Sequence, residues 1–215
     1  MTGQEALRAT LRGLLGPAAR THRYQGSSPT WRKSSPAGDW AVVNVQSSAF
    51  SSADDLRCVV NLAFAPEPWL RWKAEDLGAR MPKRVTEYLG LYRRRLHPAG
   101  TPSGADRWWD VRDSDSATAA VADMIAQLDR HGWATLEQMF SREALMARLR
   151  EGDLGWMKRP YQPVLFARAE ALLLMDAGPS DALEERLIEA RNVGEDAREH
   201  AERFEAWVRA EAAKA

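Results

Sequence analysis

The sequence predicts an α+β fold: an antiparallel sheet of about four strands with helices packed on one face, plus an α-helical C-terminal extension. Three observations lead there. Two β-branched, mostly alternating runs, WAVVNVQSS at 40–48 and LRCVVNLAFA at 56–65, are joined by a polar turn too short for a parallel crossover. Apolar residues at helical spacing flank them on both sides. From Ser141 onward every segment reads as helix.

Residues 3–15 form the first expected helix. Thr2 and Glu5 have the spacing of a capping box, Leu7, Leu11, Leu14 and Leu15 share a face, and Gly16-Pro17 is expected to end it. A short strand, TWRKS at 30–34, precedes the two long ones, with a hairpin loop at 35–39. In the third strand Cys58, Val60, Leu62 and Phe64 share one face, and Arg57, Val59, Asn61 and Ala63 the other. Residues 66–78 read as a Trp-rich connection with a turn or two of helix. Residues 82–96 read as a helix that starts at Pro82, buries Val85, Leu89, Tyr92 and Leu96, and stops at His97-Pro98.

After a loop at 100–105, RWWDVR at 107–112 is the fourth strand, with Trp109 and Val111 on one side. Residues 116–130 are a helix with Val121, Met124, Ile125 and Leu128 inward and a stop at His131-Gly132. Thr135 and Gln138 then have capping-box spacing over a short helix that ends near Phe140. Helices are expected at 142–150 and 164–175, with an irregular connector at 152–163. Ser180 caps a long last helix to about Ala213. Its a/d-like stripe runs Leu183, Leu187, Ala190, Gly194, Ala197, Ala201, Phe204, Val208, and Asn192-Val193-Gly194 weakens or kinks it. The chain thus divides into an α+β domain at 1–140 and an acidic helical extension at 141–215.

The order helix, TWRKS, AVVNVQSS, polar turn, RCVVNLAF, then LYRRRLHP and RWWDV before another helix resembles a bacterial family catalogued as domain of unknown function 4304. The resemblance covers about residues 1–140; its most specific parts are Val45-Gln46-Ser47-Ser48 and Val60-Asn61-Leu62. The helical tail resembles an extension carried by actinobacterial members. The resemblance implies a small α+β fold and an association with toxin–immunity gene clusters. It implies no established activity and no catalytic residues.

The chain holds 30 Lys/Arg and 30 Asp/Glu, a zero balance that argues against a nucleic-acid-coated protein and against a disordered acidic chain. The zero hides a split. Residues 1–112 hold 17 basic and 10 acidic residues, net +7, and residues 113–215 hold 13 and 20, net −7. The single cysteine, Cys58, excludes an internal disulfide and a Cys-built zinc site. Arg8 and Arg12 interrupt the N-terminal stretch where a secretory signal would be apolar, and no run approaches the roughly 20 apolar residues of a bilayer span. A cytoplasmic protein without membrane contact is expected.

No catalytic set, metal set or cofactor motif stands out. His22, His97, His131 and His200 are scattered, and His97 and His131 read first as helix-end caps. Cys58 reads as a small buried hydrophobe on an apolar strand face. Polar Gln46 and Asn61 sit inside strands, either on a solvent-facing sheet side or on a ligand-holding one. The Trp/Arg surplus is the strongest oddity: nine Trp, seven of them between Trp31 and Trp133, interleaved with Arg71, Arg93, Arg94, Arg95 and Arg107. Aromatics are core material first, but Trp and Arg also dominate binding hot spots.

The leading expectation is a binding module, immunity-like in character, that recognises an acidic protein surface or a small anionic ligand. Its candidate residues are Gln46, Asn61, Arg71, Trp72, Arg93, Arg94, Arg95 and Trp108. The other expectations are a small enzyme using His97 or Cys58 beside the sheet, and self-assembly through the stripe at 180–215.

Overall fold

The computed structural model describes residues 2–215. The chain forms two compact units. The first comprises the chain up to Phe64 together with Val85–Gln138; the second comprises Ala65–Arg84 with Met139–Ala215.

The first unit is built on an antiparallel sheet of β1 (Gln25–Ser27), β2 (Thr30–Ser34), β3 (Trp40–Ser47), β4 (Leu56–Ala65), β5 (Tyr92–Leu96) and β6 (Trp109–Val111). The spatial order is β1-β2-β3-β4-β5, and β6 also pairs with β4. Strands β5 and β6 divide one edge of β4: Val60–Phe64 pairs with Leu96–Tyr92, and Leu56–Cys58 with Val111–Trp109. On one sheet face Trp31, Ala41, Val43, Val45, Cys58, Val60, Leu62 and Phe64 are all buried.

That face is the one expected to carry helices. Helix α1 (Gly3–Thr10) starts with the Thr2–Glu5 capping box. The expected stop at Gly16-Pro17 does not occur. Instead the N–H of Gly16 bonds five residues back to Leu11 O, a widened turn over Leu11–Leu15, and α2 (Gly16–Thr21) continues beyond it. The wider turn makes room for the Pro17 ring, which lacks an N–H in any case. Gly3 is required for the close approach of α1 to β6, since a Cβ there would lie 2.7 Å from Val111 O. Helix α4 (Ser114–His131) begins two residues earlier than expected because Asp113 caps it, and it packs on α1, β5 and β6. Helix α5 (Trp133–Gln138) starts directly after Gly132. Thr135 and Gln138 therefore lie within it and cap nothing.

The largest departure is at 82–96. The expected helix is a single tight turn at Glu87–Leu89 followed by β5. Val85, Tyr92 and Leu96 are buried as expected, but in extended geometry. The edge of β4 offers backbone groups that must be paired, and YRRRL pairs with them. At Gly90 a Cβ would lie 2.7 Å from the Ala63 Cβ, so the chain approaches β4 where a larger residue does not fit.

The second unit is helical: α3 (Glu67–Asp76), α6 (Arg142–Arg150), α7 (Pro163–Leu174), α8 (Asp181–Ala190) and α9 (Arg198–Ala212). The segment expected to be a loose connection is α3, with Trp69, Leu70 and Trp72 buried. Helix α7, apolar nearly all round, packs against α3, α6 and α8. The long last helix is two, broken at Asn192-Val193-Gly194. Of the predicted stripe, Leu183, Leu187, Ala190, Ala201, Phe204 and Val208 are buried in the folded chain. These six belong to the chain's own core, whereas Gly194 and Ala197 of the same stripe are not buried.

Charge follows the units and not the chain order. The first holds 13 Lys/Arg and 12 Asp/Glu, net +1; the second holds 17 and 18, net −1. The ±7 split dissolves because a basic stretch, Ala65–Arg84, belongs with the acidic tail. Among the described residues no helix is long and apolar enough to cross a membrane.

Candidate functional site

The sequence YRRRL in an extended strand sends alternate side chains to opposite faces. Register places Arg95 opposite Asn61 and Arg93 opposite Ala63, while Arg94 lies opposite Leu62. The three arginines expected along a helix as one patch are thus divided: Arg93 and Arg95 on one face, Arg94 on the other.

Four of the predicted residues meet in one hydrogen-bonded network. Asn61 Nδ2 donates to Gln46 Oε1 at 2.7 Å, and Arg95 Nε donates to Asn61 Oδ1 at 3.4 Å. Arg95 Nη1 reaches both carboxylate oxygens of Asp106, at 3.0 and 3.2 Å. Trp108 Nε1 donates to the same carboxylate at 3.2 Å, and the Arg95 guanidinium lies 5.2 Å from the Trp108 ring centre. Desolvation works against the charged form of Asp106, but the bonds from Arg95 and Trp108 and the Arg95 and His97 charges hold its carboxyl below the usual range.

Beside this network lies an open cleft of about 570 Å³. Its charged walls are Arg94, Arg95, His97, Asp106, Arg130 and His131, and the loop from Pro98 to Ala105 forms its rim. Three arginines face one carboxylate. Arg94 and Arg130 are exposed, and Arg130 Nε is braced on Ala126 O at 3.1 Å. His97 Nδ1 lies 2.8 Å from Arg107 O. A carbonyl only accepts, so Nδ1 donates there.

The rim is tied to α4 by Asp123. Its Oδ2 accepts from Ala99 N and from Trp109 Nε1, each at 2.9 Å, and its Oδ1 accepts from Gln127 Nε2 at 3.0 Å. Burial opposes ionisation of Asp123, but these three bonds hold its carboxyl below the ordinary range.

Other expected residues do not join the cleft. Arg71 and Trp72 lie on α3 in the second unit. Arg71 faces Glu67 at 3.3 Å, Asp176 at 3.0 Å and Glu211 at 2.8 Å. Trp72 is 3% exposed and packs its ring against Phe204 and Trp207, so it is core and not surface. Arg93 shares the sheet face of Arg95 but is half-buried and does not line the cleft. Cys58 is fully buried, bonded weakly to Trp109 O, and burial pushes its thiol up to about 12.

Sequence reasoning missed Asp106, Asp123 and Arg130. Arg130 was within reach of it, since Arg130-His131 is the basic last turn of α4. Asp106 and Asp123 gain meaning only when β5 is a strand and its loop folds back.

Residues 15–138 match the family model described as Domain of unknown function (DUF4304). No curated protein and no solved structure matches the chain.

Proposed function

We propose, for a chain that belongs to the family Domain of unknown function (DUF4304), that its first unit is a binding module whose cleft receives carboxylates of an acidic partner protein. The single observation that carries this reading is the arginine excess around one open cleft, Arg94, Arg95 and Arg130 against Asp106, in a unit whose net charge is only +1. Arg95 is held by Asn61, Asp106 and Trp108, which fixes its guanidinium plane and leaves Nη2 as the donor for a partner's carboxylate. Arg94 and Arg130 lend reach and long-range attraction.

The test is a double substitution, Arg94→Glu with Arg130→Glu, because both side chains are exposed and neither holds the fold. Titration with a synthetic Glu-rich peptide should show binding by the wild type that weakens as salt rises. The double variant should lose at least about tenfold in affinity with its melting temperature unchanged. Equal binding by the variant removes the cleft from the reading.

A further inference from the structure

A second cavity of about 710 Å³ opens in the first unit, lined by the end of α2 and the turn after it (residues 21–24), Lys33 of β2, Asp129 of α4 and the helix α5. Its makings differ from those of the basic cleft. Lys33 and Glu137 form an ion pair across it at 2.5 Å, Asp129 and Arg23 add one charge of each sign, and the lining is balanced overall. Trp133 supplies an indole wall, its Nε1 tied to Asp129 at 3.1 Å. The Tyr24 ring leans on that indole at 5.1 Å.

Two features mark this cavity. The imidazole of His22, on an exposed residue, lies flat on Trp133, with ring centres 4.7 Å apart and planes 16° apart. And Tyr24, 1% exposed, has a buried hydroxyl with no hydrogen-bond partner. Burial and the neighbouring Glu137 charge both keep that phenol protonated, so it stands as a donor without an acceptor. Arg23, between the two, adopts φ +65°, a left-handed conformation uncommon for a side chain of its size, and all three residues line the cavity.

We infer that this cavity binds an uncharged flat nitrogen heterocycle of the nucleobase class, stacked on the His22–Trp133 platform with a ring acceptor on the Tyr24 hydroxyl. The chain's own imidazole already shows what the indole face accepts: a planar nitrogen ring. The Lys33–Glu137 pair presents one donor and one acceptor side by side, matching the mixed edge of a base. Balanced charge at the walls gives no reward to an anion, in contrast with the arginine cleft. The hydroxyl is buried as the structure stands, so a ligand reaches it by moving a side chain of the cavity wall.

The probe is guanosine, with indole as a flat ring lacking base-type acceptors. Backbone amide shifts read by NMR should move around His22–Tyr24 and α5 with guanosine, with affinity on the order of 1 mM. Tyr24→Phe should weaken guanosine binding about tenfold while leaving the melting temperature equal or higher, since it deletes an unsatisfied donor. His22→Ala, which removes no core residue, should weaken it several-fold. The Arg94→Glu/Arg130→Glu variant should bind guanosine like the wild type, which separates this site from the acidic-partner cleft. Absence of shifts at these residues, equal binding by Tyr24→Phe and His22→Ala, or indole binding as tightly as guanosine each overturns the assignment.

Discussion

Asp123 shows how one carboxylate organises the cleft rim. It joins the loop at Ala99, the strand at Trp109 and the helix at Gln127. Asp123→Ala should cost about 1–3 kcal/mol in urea unfolding, because three donors lose their acceptor in a half-buried place. Its pH dependence has a definite sign. The folded carboxyl titrates below its unfolded value, so the stabilisation is complete above the unfolded carboxylate range, near pH 3.9, and is lost as pH falls through the lower folded value. Stability curves at pH 3–7 should therefore drop on the acid side, and Asp123→Asn should flatten that drop. The tryptophan surplus has a plain residue-scale reading. Trp31, Trp69, Trp72, Trp109 and Trp133 are all buried, so most of the oddity is core.

At the scale of elements, caps read from sequence are sound where a free N–H had to be satisfied locally. The Thr2–Glu5 box and the Ser180 cap both form. Asp113, which also caps, anchors α4 beside β6, and Asp113→Ala should lower the melting temperature. The strands β2, β3 and β4 were legible because alternation over five to ten residues is a period-2 signal. The stretch at 82–96 misled for the opposite reason. Val85, Leu89, Tyr92 and Leu96 have helical spacing, but the unpaired edge of β4 and the close contact at Gly90 outweigh local preference. That single change moved the arginines from a helix face to a strand and divided them between its two sides. It is why Gln46, Asn61, Arg95 and Trp108 could be named in advance but Asp106 could not.

At the scale of the molecule, the second unit is not a simple appendage. Helix α3 contributes Trp69 and Trp72 to it from far back in the chain, and Arg71 there faces three carboxylates. Residues 139–215 alone should therefore lack a fixed core. Their near-ultraviolet circular dichroism should be weak and their melting broad, whereas a sharp cooperative transition would mean that α3 is dispensable.

By itself the sequence determined the α+β class, the three central strands, the helix starts at Gly3, Arg142 and Asp181, and a weak point at Asn192-Val193-Gly194. Each rests on interactions within a few residues: alternation, capping, or the cost of glycine in a helix. Only the tertiary structure decided that 92–96 is a strand, that 65–84 joins the tail, and that the ±7 charge halves become two nearly neutral units. Edge pairing, burial and charge balance act between segments distant in sequence, and no local pattern records which distant segment will supply the partner.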